Sequence, residues 1–173
     1  MSISFKDKVA LVTGAGAGLG RSHAIFLASR GAKVVVNDLG GSLDGTGESK
    51  SPATQVVEEI LAKGGQAVAN FDSVGDPETA QNIIRTALDN FGTVDILICN
   101  AGIVRDKIFL KMPLDDFDLV MKVHLMGTVY TTRAALAVMK EKKYGRIVMT
   151  TSASGLFGNF GQTNYAAAKM GII

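Results

Sequence analysis

Short runs of β-branched and aliphatic residues alternate along the chain with longer stretches in which apolar positions recur at helical spacing. The runs are VALVT (Val9 to Thr13), KVVVND (Lys33 to Asp38), QAVANFD (Gln66 to Asp72), VDILIC (Val94 to Cys99) and RIVMTTS (Arg146 to Ser152). Their apolar residues follow one another instead of alternating with polar ones, which predicts strands buried on both faces. The helical stretches cover roughly Leu19 to Arg30, Pro52 to Lys63, Pro77 to Phe91 and Leu114 to Lys142. The first two end in a basic residue followed by glycine, Arg30-Gly31 and Lys63-Gly64, as helices do where they stop. Strands alternating with helices require right-handed crossovers, so the fold class is α/β: a doubly wound parallel sheet between two helical layers. No linker rich in Pro or Ser interrupts the pattern, and residues 1–173 read as a single domain. One long irregular stretch, LGGSLDGTGESKS from Leu39 to Ser51, is an excursion after the second strand.

Composition narrows the functional classes. With 173 residues, 47% hydrophobic and 20% charged, the chain can bury one core and is not disordered. Its net charge of +2 comes from 18 basic and 16 acidic residues scattered along the sequence. No basic block tracks a phosphate backbone, so nucleic acid is not an expected partner. The single cysteine, Cys99, lies in an apolar run and reads as a small core residue in a reducing, cytoplasmic setting. Before Thr13 the apolar stretch is only four residues long, too short for a signal peptide or a membrane span. A soluble protein without a membrane partner is expected, and no metal site.

The first strand feeds directly into TGAGAGLG, Thr13 to Gly20. The spacing G-x-G-x-x-G fails here, because counting from Gly14 or Gly16 places Leu19 or Arg21 where the last glycine belongs. The pattern T-G-x-x-x-G-x-G fits, on Gly14, Gly18 and Gly20. Glycines permit a tight turn and a close approach of backbone to pyrophosphate, and the following helix aims its free N–H groups at that charge. Gly14, Gly16, Gly18, Leu19 and Gly20 are therefore the expected cofactor-contacting turn. Asp38 ends the second strand 24 residues after Gly14, where a carboxylate accepts hydrogen bonds from the adenosine ribose of NAD and repels the extra phosphate of NADP. Ala17 supplies no cation to the turn, and Arg21 reads as a solvated first-turn residue. NAD is the expected cofactor.

Near the end of the sequence stands SASGLFGNFGQTNYAAAK, with Tyr165 thirteen residues after Ser152 and Lys169 four further on. On a helix starting near Asn164, Tyr165 and Lys169 share one face and converge on one bound molecule. A free tyrosine ionises near pH 10, and a neighbouring ammonium favours its phenolate. Such a phenolate can remove the proton from an alcohol while hydride leaves for a nicotinamide, with Ser152 holding the substrate oxygen.

TGAGAGLG, CNAG (Cys99 to Gly102) and the Ser152, Tyr165, Lys169 spacing together resemble the short-chain dehydrogenase/reductase family, in order and spacing from Phe5 to the last residue. The resemblance implies a Rossmann-type fold and an NAD-dependent enzyme interconverting a secondary alcohol and a ketone. It implies that Asp72 and Ser73 lie beside the adenine, that Asn100 borders the cofactor, and that Tyr165 and Lys169 also touch it, Lys169 at the nicotinamide ribose. Two positions depart from the family pattern. NNAG is here CNAG, a change at Cys99 expected to affect packing. Where the family places a catalytic asparagine, this chain reads His124-Leu125-Met126-Gly127. His124 is a candidate catalytic residue that either holds a proton-relay water or is a satisfied core histidine.

Within the family, VVVNDLGG, VANFDSV, VHLMG and YGRIVMTTSASGLFGNFGQTNY are similar to the (3R)-hydroxyacyl-CoA dehydrogenase unit of multifunctional enzyme type 2. That likeness implies a small-molecule substrate, an acyl-CoA thioester, oxidised from (3R)-3-hydroxyacyl to 3-oxoacyl form, and a peroxisomal location if the source is eukaryotic. One alternative is a 3-oxoacyl-acyl-carrier-protein reductase, similar in AGIVRD and GNFGQTNY, against which Asp38 and Ala17 argue. The other is a non-catalytic dinucleotide-binding module, which would have no use for the serine, tyrosine and lysine in register. Family members run to about 250 residues, so the domain is expected to be C-terminally incomplete after the fifth strand and the start of the next helix. The full-length form is expected to be a homodimer or homotetramer, and this piece alone inactive and poorly soluble.

Overall fold

The structure, a computed structural model, describes residues 3–173. Strands β1 (Val9–Thr13), β2 (Lys33–Asn37), β3 (Gln66–Asn70), β4 (Ile96–Cys99) and β5 (Arg146–Met149) form one parallel sheet in the order β3-β2-β1-β4-β5. Helices α1 (Gly18–Ser29), α2 (Ser51–Ala62), α3 (Pro77–Phe91), α4 (Leu114–Met121), α5 (Gly127–Lys142), α6 (Ala153–Phe157) and α7 (Thr163–Ile172) complete it. Thr13 pairs in register with Asn37, and Asn37 with Asn70, so β1, β2 and β3 end level. The chain order reverses between β1 and β4, and the crevice outside the strand ends at such a point is where open α/β sheets bind ligands.

The apolar runs divide their residues between the two sheet faces. Ala10, Val12, Val34, Val36, Ile96 and Ile98 pack with Ala24, Leu27, Val56 and Ile60 of α1 and α2. Val9, Leu11, Val35, Leu97 and Cys99 pack with Ile83, Ile84, Ala87, Ala135 and Met139 of α3 and α5. Burying each Val, Leu, Ile or Met among them contributes about 1.5–3 kcal/mol. Helix stops follow the sequence signals: Gly31 and Gly64 take left-handed φ values of 96° and 79° just beyond α1 and α2. At the other end of α3's design, Asp76 accepts hydrogen bonds from the N–H groups of Glu78 (2.9 Å) and Thr79 (3.1 Å), and Pro77 begins the helix.

The expected single helix from Leu114 to Lys142 is three segments. A π-helical turn at Lys122–Met126 separates α4 from α5. Strand ends at Asp38, Phe71–Asp72 and Thr150–Ser152 lie outside the sheet, where the backbone turns toward loops that build the crevice, and Val94–Asp95 precede β4 at the opposite, amino end, where Asp95 is bonded to Val9. A short 3₁₀ turn at Phe109–Lys111 and helix α6 occupy stretches that carried no periodic pattern. The last strand is β5. It ends the sheet with Val148 and Met149 exposed, as expected of a fifth strand without a further neighbour in an incomplete domain. No helix among the described residues is long and apolar enough to cross a membrane.

Candidate active site

A cavity of about 520 Å³ opens at the carboxyl ends of the strands, of the size that holds a small ligand. Gly14 and Gly18 of the turn line it, together with Asp38, Asp72, Ser73, Asn100 and Gly102. The turn needs its glycines for steric reasons. Gly14 has φ +62°, and a Cβ there would lie 2.7 Å from Ala101 Cα. At Gly20 a Cβ would lie 2.1 Å from the Gly14 carbonyl oxygen, so the helix and the turn meet backbone to backbone. Gly18 has φ +53° and open space where a side chain would stand. Asn100 fastens the turn from β4, its amide donating to the carbonyls of Thr13 and Gly14, both at 3.0 Å. Thr13 Oγ1 accepts from the N–H groups of Asn100 (3.0 Å) and Ala101 (3.1 Å), a positioning role hidden in the sequence because it depends on strand order.

These features fit a dinucleotide. Ala17 precedes α1 without a side-chain cap and no acidic residue occupies the first turn. The first N–H groups of α1 therefore lack a side-chain partner, and they suit an anion. Of the other turn residues, Gly16 lies behind Asp38 and Leu19 is exposed at the start of α1; neither these nor Gly20 lines the cavity. Asp38 faces the cavity while accepting from Gly16 N–H and Gly40 N–H, each at 2.7 Å, so its carboxylate joins the turn to the excursion. Asp72 is oriented by Asn70, whose amide donates to its Oδ2 at 2.7 Å, and Asn70 is held in turn by Asn37 at 2.8 Å. Arg21 is not simply solvated: it forms an ion pair with Glu59 of α2. No lysine or arginine is among the residues lining the cavity.

Tyr165 and Lys169 lie one turn apart on α7, and the lysine Nζ stands 5.6 Å from the tyrosine ring centroid. Lys169 is buried, and burial pushes its ammonium down from 10.5 to about 8. Its Nζ donates to the Thr150 carbonyl at 2.6 Å, and Thr151 Oγ1 donates to the Lys169 carbonyl at 3.0 Å. Ser152 caps α6, accepting from Ser154 N–H at 3.2 Å. Helix α6 reaches α7 because Gly155 lets the backbones touch: a Cβ there would lie 2.9 Å from Met170 N.

His124 sits in the π-turn, buried, with its ring edge-on to Tyr165 at 5.1 Å between centroids. Its Nε2 lies 2.7 Å from the Ile103 carbonyl and 3.0 Å from the Ile103 N–H, while buried Nδ1 has no hydrogen-bond partner in the protein. Burial, above all, lowers its pKa from 6.5 to about 4, assisted by the charge of Lys169 and opposed by the Ile103 hydrogen bond. The ring is therefore neutral at physiological pH. The Ser152, Tyr165, Lys169 and His124 group does not line the cavity; it joins it through Gly102 and Ile103, which touch both. Cys99 is a core residue, its thiol raised by burial and in contact with Thr131 and Thr132. Cavity walls from Leu39, Gly41 to Leu43, Gly45, Leu119 and Val123 carry no sequence signal of their own.

Comparison with known proteins agrees with this geometry. The short chain dehydrogenase family matches residues 8–173. A short-chain type dehydrogenase/reductase of Mycobacterium tuberculosis is 57% identical over 168 residues, covering 97% of this chain and 59% of that one. Peroxisomal multifunctional enzyme A of Dictyostelium discoideum is 58% identical over 173 residues, covering 100% of this chain and 38% of that one. The crystal structure of a short chain dehydrogenase from Mycobacterium avium superposes with a TM-score of 0.87 at 46% identity, covering 96% of this chain and 60% of that one. The chain thus spans less than two thirds of each of these relatives. With a parallel sheet, a glycine turn at its switch point and a tyrosine–lysine pair beside the cavity, the chain belongs to the short-chain dehydrogenase family of oxidoreductases.

Proposed function

We propose that the protein is an NAD-dependent dehydrogenase that oxidises a (3R)-3-hydroxyacyl-CoA to its 3-oxoacyl form. The observation carrying the cofactor choice is the wall of the cavity: a carboxylate, Asp38, faces it beside the glycine turn, and none of its lining residues is a cation. A 2′-phosphate there would meet negative charge without compensation, while ribose hydroxyls would find an acceptor. The only basic residue of the turn's helix start, Arg21, is already paired with Glu59. The likeness to a peroxisomal multifunctional enzyme over the whole chain supports the acyl-CoA substrate and a peroxisomal setting.

The glycine turn, Asp38 and Asn100 would hold a nicotinamide cofactor, which would supply the hydride acceptor for the oxidation. The chain's own residues supply the proton chemistry. Tyr165 takes the hydroxyl proton of the substrate, with the Lys169 ammonium standing beside its ring. Ser152 donates a hydrogen bond to the substrate oxygen and holds it against Tyr165. His124, neutral and fixed through Nε2 to Ile103, keeps the wall between cavity and tyrosine in place.

A titration of NAD and NADP against the full-length enzyme, followed by NADH formation with (3R)- and (3S)-3-hydroxyacyl-CoA, tests the proposal. The expected result is tighter binding of NAD and turnover of the (3R) epimer alone. Equal or tighter binding of NADP removes the cofactor assignment, and turnover of a 3-oxoacyl carrier-protein thioester with NADPH in preference would make the enzyme a reductase.

A further inference from the structure

The Leu39 to Ser51 excursion is a braced strap. Its ends are drawn together by Ser49 N–H donating to the Leu39 carbonyl at 3.1 Å, and Gly40 is held from the turn side by Asp38. At its tip Ser42 N–H donates to the Thr46 carbonyl at 2.9 Å, and Asp44 Oδ1 accepts from Ser42 Oγ (2.6 Å), Thr46 N–H (2.9 Å) and Thr46 Oγ1 (2.8 Å). Ser42, Leu43 and Gly45 of this tip form part of the cavity wall. The strap does not hang free. Val104 N–H donates to the Leu43 carbonyl at 2.9 Å, Arg105 Nε donates to the Asp44 carbonyl at 2.8 Å, and the Arg105 guanidinium is anchored by an ion pair with Asp116 of α4.

The opposite side of the same short segment holds the start of α7. Arg105's carbonyl accepts from the amide of Asn164 at 3.1 Å, and Asn164 is fully buried and immediately precedes Tyr165. Asp106 accepts from Gln162 Nε2 at 2.8 Å, and Lys107 N–H donates to the Gly161 carbonyl at 2.8 Å. At its near end, Ile103 is clamped by His124, whose ring abuts Tyr165. The residues from Ile103 to Lys107 are thus bonded on one side to a wall of the cofactor cavity and on the other to the helix that carries Tyr165 and Lys169. The two sets of bonds meet at Arg105, whose side chain holds the strap at Asp44 and whose carbonyl holds Asn164.

We propose that the Ile103 to Lys107 segment couples the strap over the dinucleotide to Tyr165, and that Arg105 is the positioning residue that latches the strap and transmits its closure. Binding of the dinucleotide orders the strap, and the latch then fixes the first turn of α7. The inference rests on the dinucleotide reading of the cavity but concerns a different contact set, and the two fail separately.

Hydrogen exchange of the backbone amides at 41–46 and 161–166, with and without NADH, reads the coupling directly, alongside the NADH dissociation rate from stopped-flow fluorescence. In the wild type, NADH is expected to slow exchange in both regions. Arg105→Met keeps the aliphatic stem and removes the latch; it should raise the dissociation rate about tenfold, as expected for losing a charge-assisted bond. It should also abolish the NADH-induced protection at 161–166. Asp116→Asn, which frees the guanidinium but leaves its bond to Asp44, should give an intermediate result, and it carries the test if Arg105→Met does not fold. Protection at the strap without protection at 161–166 in the wild type overturns the coupling. So does an Arg105→Met protein in which both regions behave as in the wild type. If neither NADH nor NADPH binds, the dinucleotide reading fails; exchange in the free protein then decides the coupling, since Arg105→Met must loosen both regions together.

Discussion

Replacing His124 with glutamine should make the protein less stable near neutrality and more resistant to acid. In the folded protein His124 is buried against Tyr165 and Ile103, and burial holds its pKa at about 4 instead of 6.5. As pH falls below 6.5 the unfolded chain takes up a proton that the folded chain refuses until about pH 4. The stability conferred by the neutral ring is therefore complete above 6.5 and is lost as pH falls through 4. At about 1.4 kcal/mol per pH unit this amounts to roughly 3 kcal/mol, a large part of the 5–15 kcal/mol that stabilises a domain. Glutamine does not titrate and reaches Ile103 with one amide, so at pH 7 its cost is about 1–2 kcal/mol from the weakened hydrogen bonding. Urea denaturation followed by circular dichroism from pH 7.5 to pH 4 gives the difference between the two proteins at each pH. The difference should start in favour of the wild type, shrink below pH 6.5, reverse between about pH 5 and pH 6, and favour the variant by about 1–2 kcal/mol at pH 4. A difference that stays constant across the range would falsify the buried neutral histidine, whatever its absolute size.

Three further outcomes follow from the same geometry. Asp38→Ala should weaken NAD binding by about ten- to a hundredfold and relax the exclusion of NADP, because it removes a ribose acceptor and also two backbone hydrogen bonds, to Gly16 and Gly40; parallel titrations check it, and unchanged selectivity refutes it. Gly20→Ala places a methyl 2.1 Å from the Gly14 carbonyl, so nucleotide binding should be lost and stability should fall by about 1–3 kcal/mol, measurable by fluorescence titration and thermal melting. In the full-length enzyme Tyr165→Phe should lower kcat by about 100- to 10,000-fold with NAD affinity nearly intact, and a variant with ordinary turnover would take the tyrosine out of the proton transfer.

The sheet and its helices were legible because their signals are local and repeated. Val9 to Thr13 and Pro77 to Phe91 have the bounds that apolar runs, Asp76 and Gly92 dictate. The glycine turn was legible for the same reason, since three glycines at fixed spacing between a strand and a helix leave few alternatives. What stayed hidden depends on neighbours distant in sequence. Arg21 looks like a solvated residue until α2 brings Glu59 to it. RIVMTTS has the composition of a strand buried on both faces, and Val148 and Met149 are exposed because β5 has a neighbour on one side only. The strap read as an excursion because its bracing comes from Val104 and Arg105, some sixty residues downstream. His124 kept two readings open in the sequence. The structure gives it backbone partners at Nε2 and leaves Nδ1 without one.

The π-turn between α4 and α5 also sets how tolerant this region is to changes in length. One residue of α-helix is about 100° of rotation, and a π-turn accommodates one extra residue without extending the axis by a full step. Upstream of Lys122–Met126 the chain packs on α7, and downstream Thr131, Ala135 and Met139 must face β4 and α3. The extra residue is the phase correction that lets both faces be satisfied by one nearly continuous rod. Deleting any single residue from 122 to 126 would permit a regular α-helix, locally the more comfortable backbone. The shortened rod would bring α5 to the sheet in the same phase, because the π-turn already withholds one residue's worth of rotation. An added residue would instead turn the buried side of α5 by about a quarter of a circle away from the sheet, so this stretch accepts a deletion more readily than an insertion.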